Sequence, residues 1–361
     1  MAATDYPVNH PLAVKLWSKK LFQEALKQTW ASKFMGKSSN SLIQIKDETQ
    51  KSAGDKITYG LRMQLTGAGV QGDGTLEGNE EALVTYSDSV LINQLRHAVR
   101  SNGKMSEQRV PFSVREEARM GLQDWWADRI DTWVMNQLTG NGGASDTRYT
   151  GNNTVTEPDA AHLICGGGHS TEASLSATTT ESLQLSDIDR LVAKAKTFTT
   201  GTDPSIRPVN VAGEEKYVLF IHPYQMYRLR TANASSVNNY IEIFRAAMMG
   251  GKYKDNPIVT GASFEYNNVI VHESTRIPVI TGTPNSGTAA DFRRAVFCGA
   301  QAGCMAYGRG NSPSNMDWTE ELFDYGNQLG VEAGCIAGFK KSIFNSKDFA
   351  TIALSTYAPA V

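Results

Sequence analysis

Cysteine is scarce in this 361-residue sequence: Cys165, Cys298, Cys304 and Cys335 are all there is. They are too few and too irregularly spaced for a disulfide framework, and no C-x-x-C pair offers a redox centre. They read as reduced, mostly buried thiols. No stretch approaches the roughly 18 consecutive apolar residues of a membrane span. The opening Met1-Ala2-Ala3-Thr4-Asp5-Tyr6-Pro7 lacks the basic and apolar regions of a secretory signal, which predicts synthesis in the cytoplasm. Charge excess is absent too, because 35 Lys and Arg face 37 Asp and Glu for a net charge of -2. Nothing global drives the chain toward nucleic acid or anionic lipid, so any DNA contact is local and weak. G-x-S-x-G and H-E-x-x-H are also missing, and with them a named nucleophile or metal site.

What is present is an ordinary globular composition, 40% hydrophobic and 20% charged, long enough for two or so compact units at about 150 residues each. Pro11, Val14, Trp17, Leu21 and Ala25 predict an amphipathic helix over 11–30. The polar run Lys37 to Ser41 reads as the hinge of an arm. From Lys56 to Leu65 the alternation is complete, with Ile57, Tyr59, Leu61, Met63 and Leu65 on one face. Thr66 to Glu81 then holds five glycines and four acids, and Leu83 to Arg100 resumes an extended pattern. The expectation is a long hairpin with a glycine-rich tip, an arm of roughly 33 Å at ~3.3 Å per residue. A lone ribbon is marginal in water, so its apolar face needs cover from another surface.

Ser113 and Glu116 form an S-x-x-E box that opens the clearest helix, carrying Ala118, Leu122, Trp125, Ile130, Trp133 and Leu138 to a stop at Gly140. That predicts a rod of about 39 Å. Residues 141–183, with Gly142-Gly143, Gly166-Gly167-Gly168 and a threonine run, read as a loop-rich surface insertion that folding can do without. Ser186 and Asp189 predict the start of a helix bearing Ile188, Leu191, Val192 and Ala195. A strand is expected over Tyr217 to Ile221, a helix over Ser236 to Met248, a hairpin across Asn267-Asn268, and strands near Ala295 to Cys298, Cys335 to Phe344 and Phe349 to Leu354. The fold class is α+β.

The remaining motifs favour bland readings. Gly67 to Gly72 matches G-x-G-x-x-G, but Asp73, Gly74 and Gly78 follow where a helix should open, and Asp73 and Glu77 would repel phosphate. Gly36-Lys37-Ser38 lacks the earlier glycine of a phosphate loop, Ala31 standing in its place. His162, Cys165 and His169 are suitable zinc ligands by type, but without a fourth at a recognisable spacing a solvated loop is the better expectation. The pairs Glu80-Glu81, Glu116-Glu117 and Glu320-Glu321 point apart and read as solvated faces.

Pro11 to Lys15, Leu65-Thr66-Gly67, Leu76 to Glu81, Arg96 to Val99, Cys298 to Ala302 and Asp324 to Asn327 together resemble the major capsid proteins of podoviruses related to phage N-four. That family is similar to the wider tailed-phage shell fold of the Hong Kong ninety-seven type. The resemblance implies an N-terminal arm (1–50), an extended hairpin loop (51–111), and a peripheral domain (112–199) with a spine helix at 112–140 and the insertion at 141–183. An axial domain (200–330) and C-terminal strands returning to the core (331–361) would follow.

The same resemblance implies a structural subunit without catalytic, cofactor or metal residues. It would build hexamers and pentamers of an icosahedral shell around double-stranded DNA, in the virion, after synthesis in the bacterial host. Its partners would be copies of itself, a separate scaffolding protein, a portal protein and, where the shell is reinforced, a decoration protein, with no membrane. Inter-subunit contacts are expected at Trp17, Ile57, Tyr59, Leu61, Met63, Leu65, Glu77, Glu80, Glu81 and Arg96. Two alternatives remain at this point: an encapsulin-like nanocompartment shell, and an enzyme using the 141–183 loop.

Overall fold

The computed structural model describes residues 30–46, 54–62, 65, 67–198, 205–211, 213–231, 264–309 and 317–361. In chain order the first half contains strands β1 (Met35–Gly36), β2 (Ile43–Lys46), β3 (Lys56–Arg62), β4 (Thr85–Leu91) and β5 (Asn93–Arg100). Helices α1 (Lys104–Gln108), α2 (Val114–Thr139) and α3 (Thr147–Thr150), strand β6 (Leu163–Cys165) and helix α4 (Leu185–Thr197) follow. Then come β7 (Val209–Val211), β8 (Glu214–Ile221), α5 (Pro223–Thr231), β9 (Phe264–Tyr266), β10 (Val269–Glu273), β11 (Phe292–Cys298) and β12 (Gly303–Tyr307). The chain ends in β13 (Asp317–Phe323), β14 (Gln328–Lys341), β15 (Ile343–Phe344), β16 (Lys347–Asp348) and β17 (Thr351–Tyr357). The helices expected over 11–30 and 236–248, with Trp17, lie outside the described residues, as does Met63.

Two sheets carry the molecule. One runs β1-β2-β12-β14-β13, with β5 also on β14; the other runs β6-β17-β11-β8-β10-β9, with β7 on β8. Spine helix α2 begins where Ser113 Oγ accepts the Glu116 N–H at 3.4 Å, and ends at Gly140 with φ 65°. Both ends agree with the sequence, since a left-handed C-cap favours glycine. Its buried face is Ala118, Leu122, Trp126, Ile130, Trp133, Val134 and Leu138. Trp126 replaces the expected Trp125, which stacks instead on His97 at 4.4 Å nearer the surface. The hairpin across Asn267-Asn268 forms with φ of 46° and 61°, the left-handed pair a two-residue turn requires. Helix α4 starts two residues earlier than expected, because Gln184 and Asp187 form the reciprocal box that Ser186 and Asp189 were expected to supply.

Three expectations are corrected. Residues 30–46 are not part of a free arm: β2 pairs with β12, and Trp30 packs on Phe220 at 4.7 Å. Asp131 of the spine accepts the Trp30 and Ala31 amides at 2.9 Å each, and where a hinge was expected the Asn40 side chain donates to the Asn210 carbonyl and accepts its amide. The expected domain limits are also crossed. β12 and β13 pair with β14 rather than joining the 200–330 unit, and β17 lies inside the second sheet between β6 and β11.

The third correction concerns 141–183, which is no solvated loop. Ile164, Cys165, Leu175 and Leu183 are buried, and β6 runs parallel to β17. Gly166 lies so close to the Glu181 carbonyl that a side chain there would collide with it. Its glycines therefore allow close backbone approach rather than freedom. Above all, Glu172 accepts two hydrogen bonds from Arg294 of β11 (2.8 and 2.7 Å), one from Ser355 Oγ of β17 (2.6 Å) and one from the Gly282 amide (3.1 Å). Arg294 also donates to the carbonyl of Gly140 at the end of the spine and to Thr281 Oγ1, both at 2.7 Å.

Burial alone would raise the Glu172 carboxyl, but its bonds with Arg294 outweigh that and hold it below the ordinary glutamate range. A depressed carboxyl contributes stability that is complete above the ordinary range and is lost as pH falls through the folded value. Arg294→Met, which leaves Glu172 charged and unpaired, should lower the subunit's unfolding free energy by about 3–5 kcal/mol at pH 7. The deficit should shrink in acid. Urea unfolding at two pH values reads this, and an unchanged midpoint at pH 7 would refute it.

Candidate assembly interface

The ribbon of β3 and β4 is the element that cannot satisfy itself. Seven residue pairs, Lys56↔Leu91 to Arg62↔Thr85, give it a length of about 23 Å. Among the described residues the ladder has seven pairs where ten were expected, reaching Arg62↔Thr85, and the second limb ends at Leu91. Residues 93–100 are β5, antiparallel to β14 in the body. The expected alternation holds, with Ile57 buried, Tyr59 and Leu61 half-buried, and their neighbours Lys56, Thr58, Gly60 and Arg62 exposed.

The expectation that this whole face lacks a local partner is corrected at its base. Ile57 and Val90 pack with Cys304 and Ala306, with Tyr59 and Ile92 against them, and the Tyr59 ring meets Phe344 edge-on at 5.8 Å. Beyond Leu61 that cover ends. Leu65, Leu76, Leu83 and Val84 are 46–61% exposed, and every described residue from 67 to 84 is exposed except half-buried Val70. This tip carries Asp73, Glu77, Glu80 and Glu81 and no Lys or Arg. Glu81 accepts the Gly67 amide and Glu80 the Gly78 amide, both at 2.7 Å, so these carboxylates brace the loop that presents Glu77. Gly78 has φ 87°, which glycine adopts without strain. No helix follows Gly72, so the G-x-G-x-x-G match forms no phosphate cradle.

Arg96 is not on the ribbon. It sits on β5 opposite Gly334, 3.4 Å from Glu332. The tip residues Leu65, Glu77, Glu80 and Glu81 thus share one surface, Ile57 and Tyr59 belong to its root, and Arg96 lies apart. Sequence reading missed the second protrusion, the β13–β14 hairpin. Trp318 and Leu322 are exposed there, and Tyr325 stands fully out in a turn where Asp324 and Tyr325 take φ near 50°. The alternation of Trp318, Glu320 and Leu322 was the available signal.

The zinc-type trio does not converge. His162 Nδ1 is 2.8 Å from Asp159 and its ring stacks on Phe198, whereas His169 meets Glu181 at 3.2 Å. Burial pushes the Cys165 thiol up to about 12, with Glu172 adding to the shift. Among the described residues no group of three or more His, Cys, Asp or Glu is placed to hold a metal ion.

The described body thus pairs charged side chains such as Glu172 and Asp88 internally and exposes apolar side chains on two protrusions. A family model described as a phage capsid protein matches residues 5–360. The chain belongs to the phage capsid protein family. A major capsid protein of Pseudomonas phage KPP25 is 29% identical, with 93% of each chain covered. The capsid structure of Ralstonia phage GP4 has a TM-score of 0.83 at 34% identity over 99% of both chains. The capsid subunit of cyanophage Pam1, at 21% identity, agrees in fold with a TM-score of 0.76 over 96% and 97% of the two chains.

The fold is thus the mixed α+β tailed-phage capsid fold of the Hong Kong ninety-seven type. The chain is a structural capsid protein of the phage head shell, a virion component and not an enzyme. The readings of 141–183 as an active site and of the chain as a cargo nanocompartment give way to that assignment. All four cysteines are buried and free. Fewer than one thiol per native subunit should react with a water-soluble disulfide reagent within minutes, and four after denaturation; rapid native reaction of Cys165 would contradict its placement.

Proposed function

We propose that this capsid subunit closes its shell by laying the tip of the β3–β4 ribbon on a neighbouring copy. The observation that carries this is the separation of the ribbon into a root built into its own subunit and a tip that is not. Burying what remains exposed of Leu65, Leu76, Leu83 and Val84 on another subunit is worth on the order of 3–6 kcal/mol before ordering costs. Glu77, with Glu80 and Glu81 behind it, gives the tip a single sign of charge that disfavours tip-to-tip contact. In this reading Leu61, Met63 and Leu65 belong to the inter-subunit face, while Ile57 and Tyr59 anchor it. Trp17 and Arg96 serve contacts outside the ribbon.

The shell is proposed to consist of hexamers and pentamers, with residues 112–199 as the peripheral domain and most of 200–330 as the axial one. The near-neutral charge suits a container that holds DNA without gripping it. The motifs quoted from Pro11 to Asn327 favour kinship with podoviruses related to phage N-four. Assembly is proposed to use a separate scaffolding protein and a portal, and the place of β2 inside a sheet supports retention of the chain from Trp30 onward.

Two measurements test this. Leu76→Asp with Leu83→Asp should leave the subunit's melting temperature within about 2 °C, as surface changes do, yet abolish closed particles in negative stain. Normal particles from the double variant would sink the ribbon assignment. Intact-mass analysis of mature particles should find Trp30 and everything after it retained. A subunit trimmed beyond residue 30 would refute the retained N-terminal segment.

A further inference from the structure

We infer that Asn153 is a positioning residue that sets the angle at which the ribbon leaves the body. Its side-chain amide acts as one rung of a strand ladder on the outer edge of β4. The Leu91 N–H donates to Asn153 Oδ1 at 2.8 Å, and Asn153 Nδ2 donates to the Leu91 carbonyl at 2.8 Å. Asn153 is buried, and its own carbonyl accepts Gln137 Nε2 at 2.8 Å. Gln137, 1% exposed on the spine helix, also donates to the Thr150 carbonyl at 3.0 Å. A continuous run of hydrogen bonds therefore links the spine to the ribbon's last residue. Leu91 is confined from the other side as well, because its carbonyl lies against Gly338 of β14, where any side chain would strike it.

A second restraint sits three residues toward the tip. The buried carboxylate of Asp88 accepts Tyr59 Oη at 3.0 Å and the Ile343 amide at 3.1 Å, and pairs with Lys340. With Asp88 fixing the ribbon's roll, Asn153 fixes its direction at the elbow between β4 and β5. The geometry makes this matter. An error of about 10° at the elbow moves the end of a ribbon about 23 Å long by about 4 Å, close to the ~4.8 Å spacing of paired strands. A docking tip would miss its register.

This inference rests on the proposed seating of the tip on a neighbouring copy, and the test separates the two. The full chain, expressed with the other head proteins of its phage, is compared with Asn153→Ala, Asn153→Asp and the Leu76/Leu83 double variant. Both Asn153 variants should give folded subunits; in Asn153→Ala the Leu91 amide should exchange about tenfold faster, consistent with the loss of one buried hydrogen bond, whereas Asn153→Asp keeps an acceptor for that amide and loses the bond to the Leu91 carbonyl. Their particles should spread into mixed diameters and open sheets. The aspartate keeps the side chain's volume and its acceptor for the Leu91 amide but sets a second oxygen against the Leu91 carbonyl, so it removes one bond of the pair without leaving a cavity. If Asn153→Ala fails to fold, the aspartate variant decides. Uniform particles of unchanged diameter from Asn153→Asp would overturn the inference. If the double variant is blocked at the same time, the ribbon reading stands and only the elbow is wrong; if it too assembles normally, both fall.

Discussion

The fold depends on one buried ion pair. Arg294 uses a single planar fork to hold Glu172, Thr281 and the carbonyl of Gly140, where the spine helix stops and its partial negative charge is greatest. Through Glu172 the same contact reaches Ser355 on the adjacent strand and the amide of Gly282. The spine, the central strands of the seven-stranded sheet and the 160–183 segment thus meet at one desolvated point. A buried pair of this kind is weak evidence of net stability, because desolvation offsets much of the attraction. Its value lies in geometry: a bidentate fork has one orientation, so the elements it joins have one too.

From that point outward the spine transmits the orientation. Its buried face packs on the body, Trp126 Nε1 reaches the Ala333 carbonyl on β14, Asp131 receives the amides of Trp30 and Ala31, and Gln137 holds the segment that carries Asn153. One helix of about 39 Å therefore registers the first sheet, the N-terminal strand and the root of the ribbon against one another. A shell subunit needs this rigidity, since small angular errors add up around a closed lattice.

The sequence made local features legible and long-range ones not. Ser113 and Gly140 announce the spine because caps act within one turn, and Asn267-Asn268 announces its hairpin because two left-handed residues allow little else. The alternation from Ile57 to Leu61 likewise gives the ribbon's two faces. Glycine was the misleading signal in 141–183. Gly166 looks like flexibility in one dimension but is a close approach to Glu181 in three, and nothing near Glu172 in sequence points to Arg294, 122 residues away. The ribbon's short second limb was hidden for a similar reason. Residues 93–100 look extended in either role, and only the pairing of Asn93 to Arg100 with β14 decides between them.

The same distribution explains why the protein needs no active site to be specific. Interior titratable groups such as Asp159, which burial would raise but which the His162 and Asp348 hydrogen bonds pull well below the usual carboxylate range, are spent on internal geometry. In the proposed assembly, recognition is left to protrusions. The ribbon tip offers four exposed apolar side chains amid acids, and the β13–β14 hairpin offers Trp318, Leu322 and Tyr325. Among the described residues β13 is also a sheet edge, a place where unwanted pairing can occur. Asp317, Glu320 and Glu321 line that edge, and Glu320 is held below the ordinary glutamate range by its bonds to Arg115 and Trp318. An edge lined by these acidic residues disfavours pairing with a second copy of itself while leaving its apolar residues available to a different surface. Selectivity of that kind lets identical subunits associate through unlike faces and close, rather than stack edge to edge without limit.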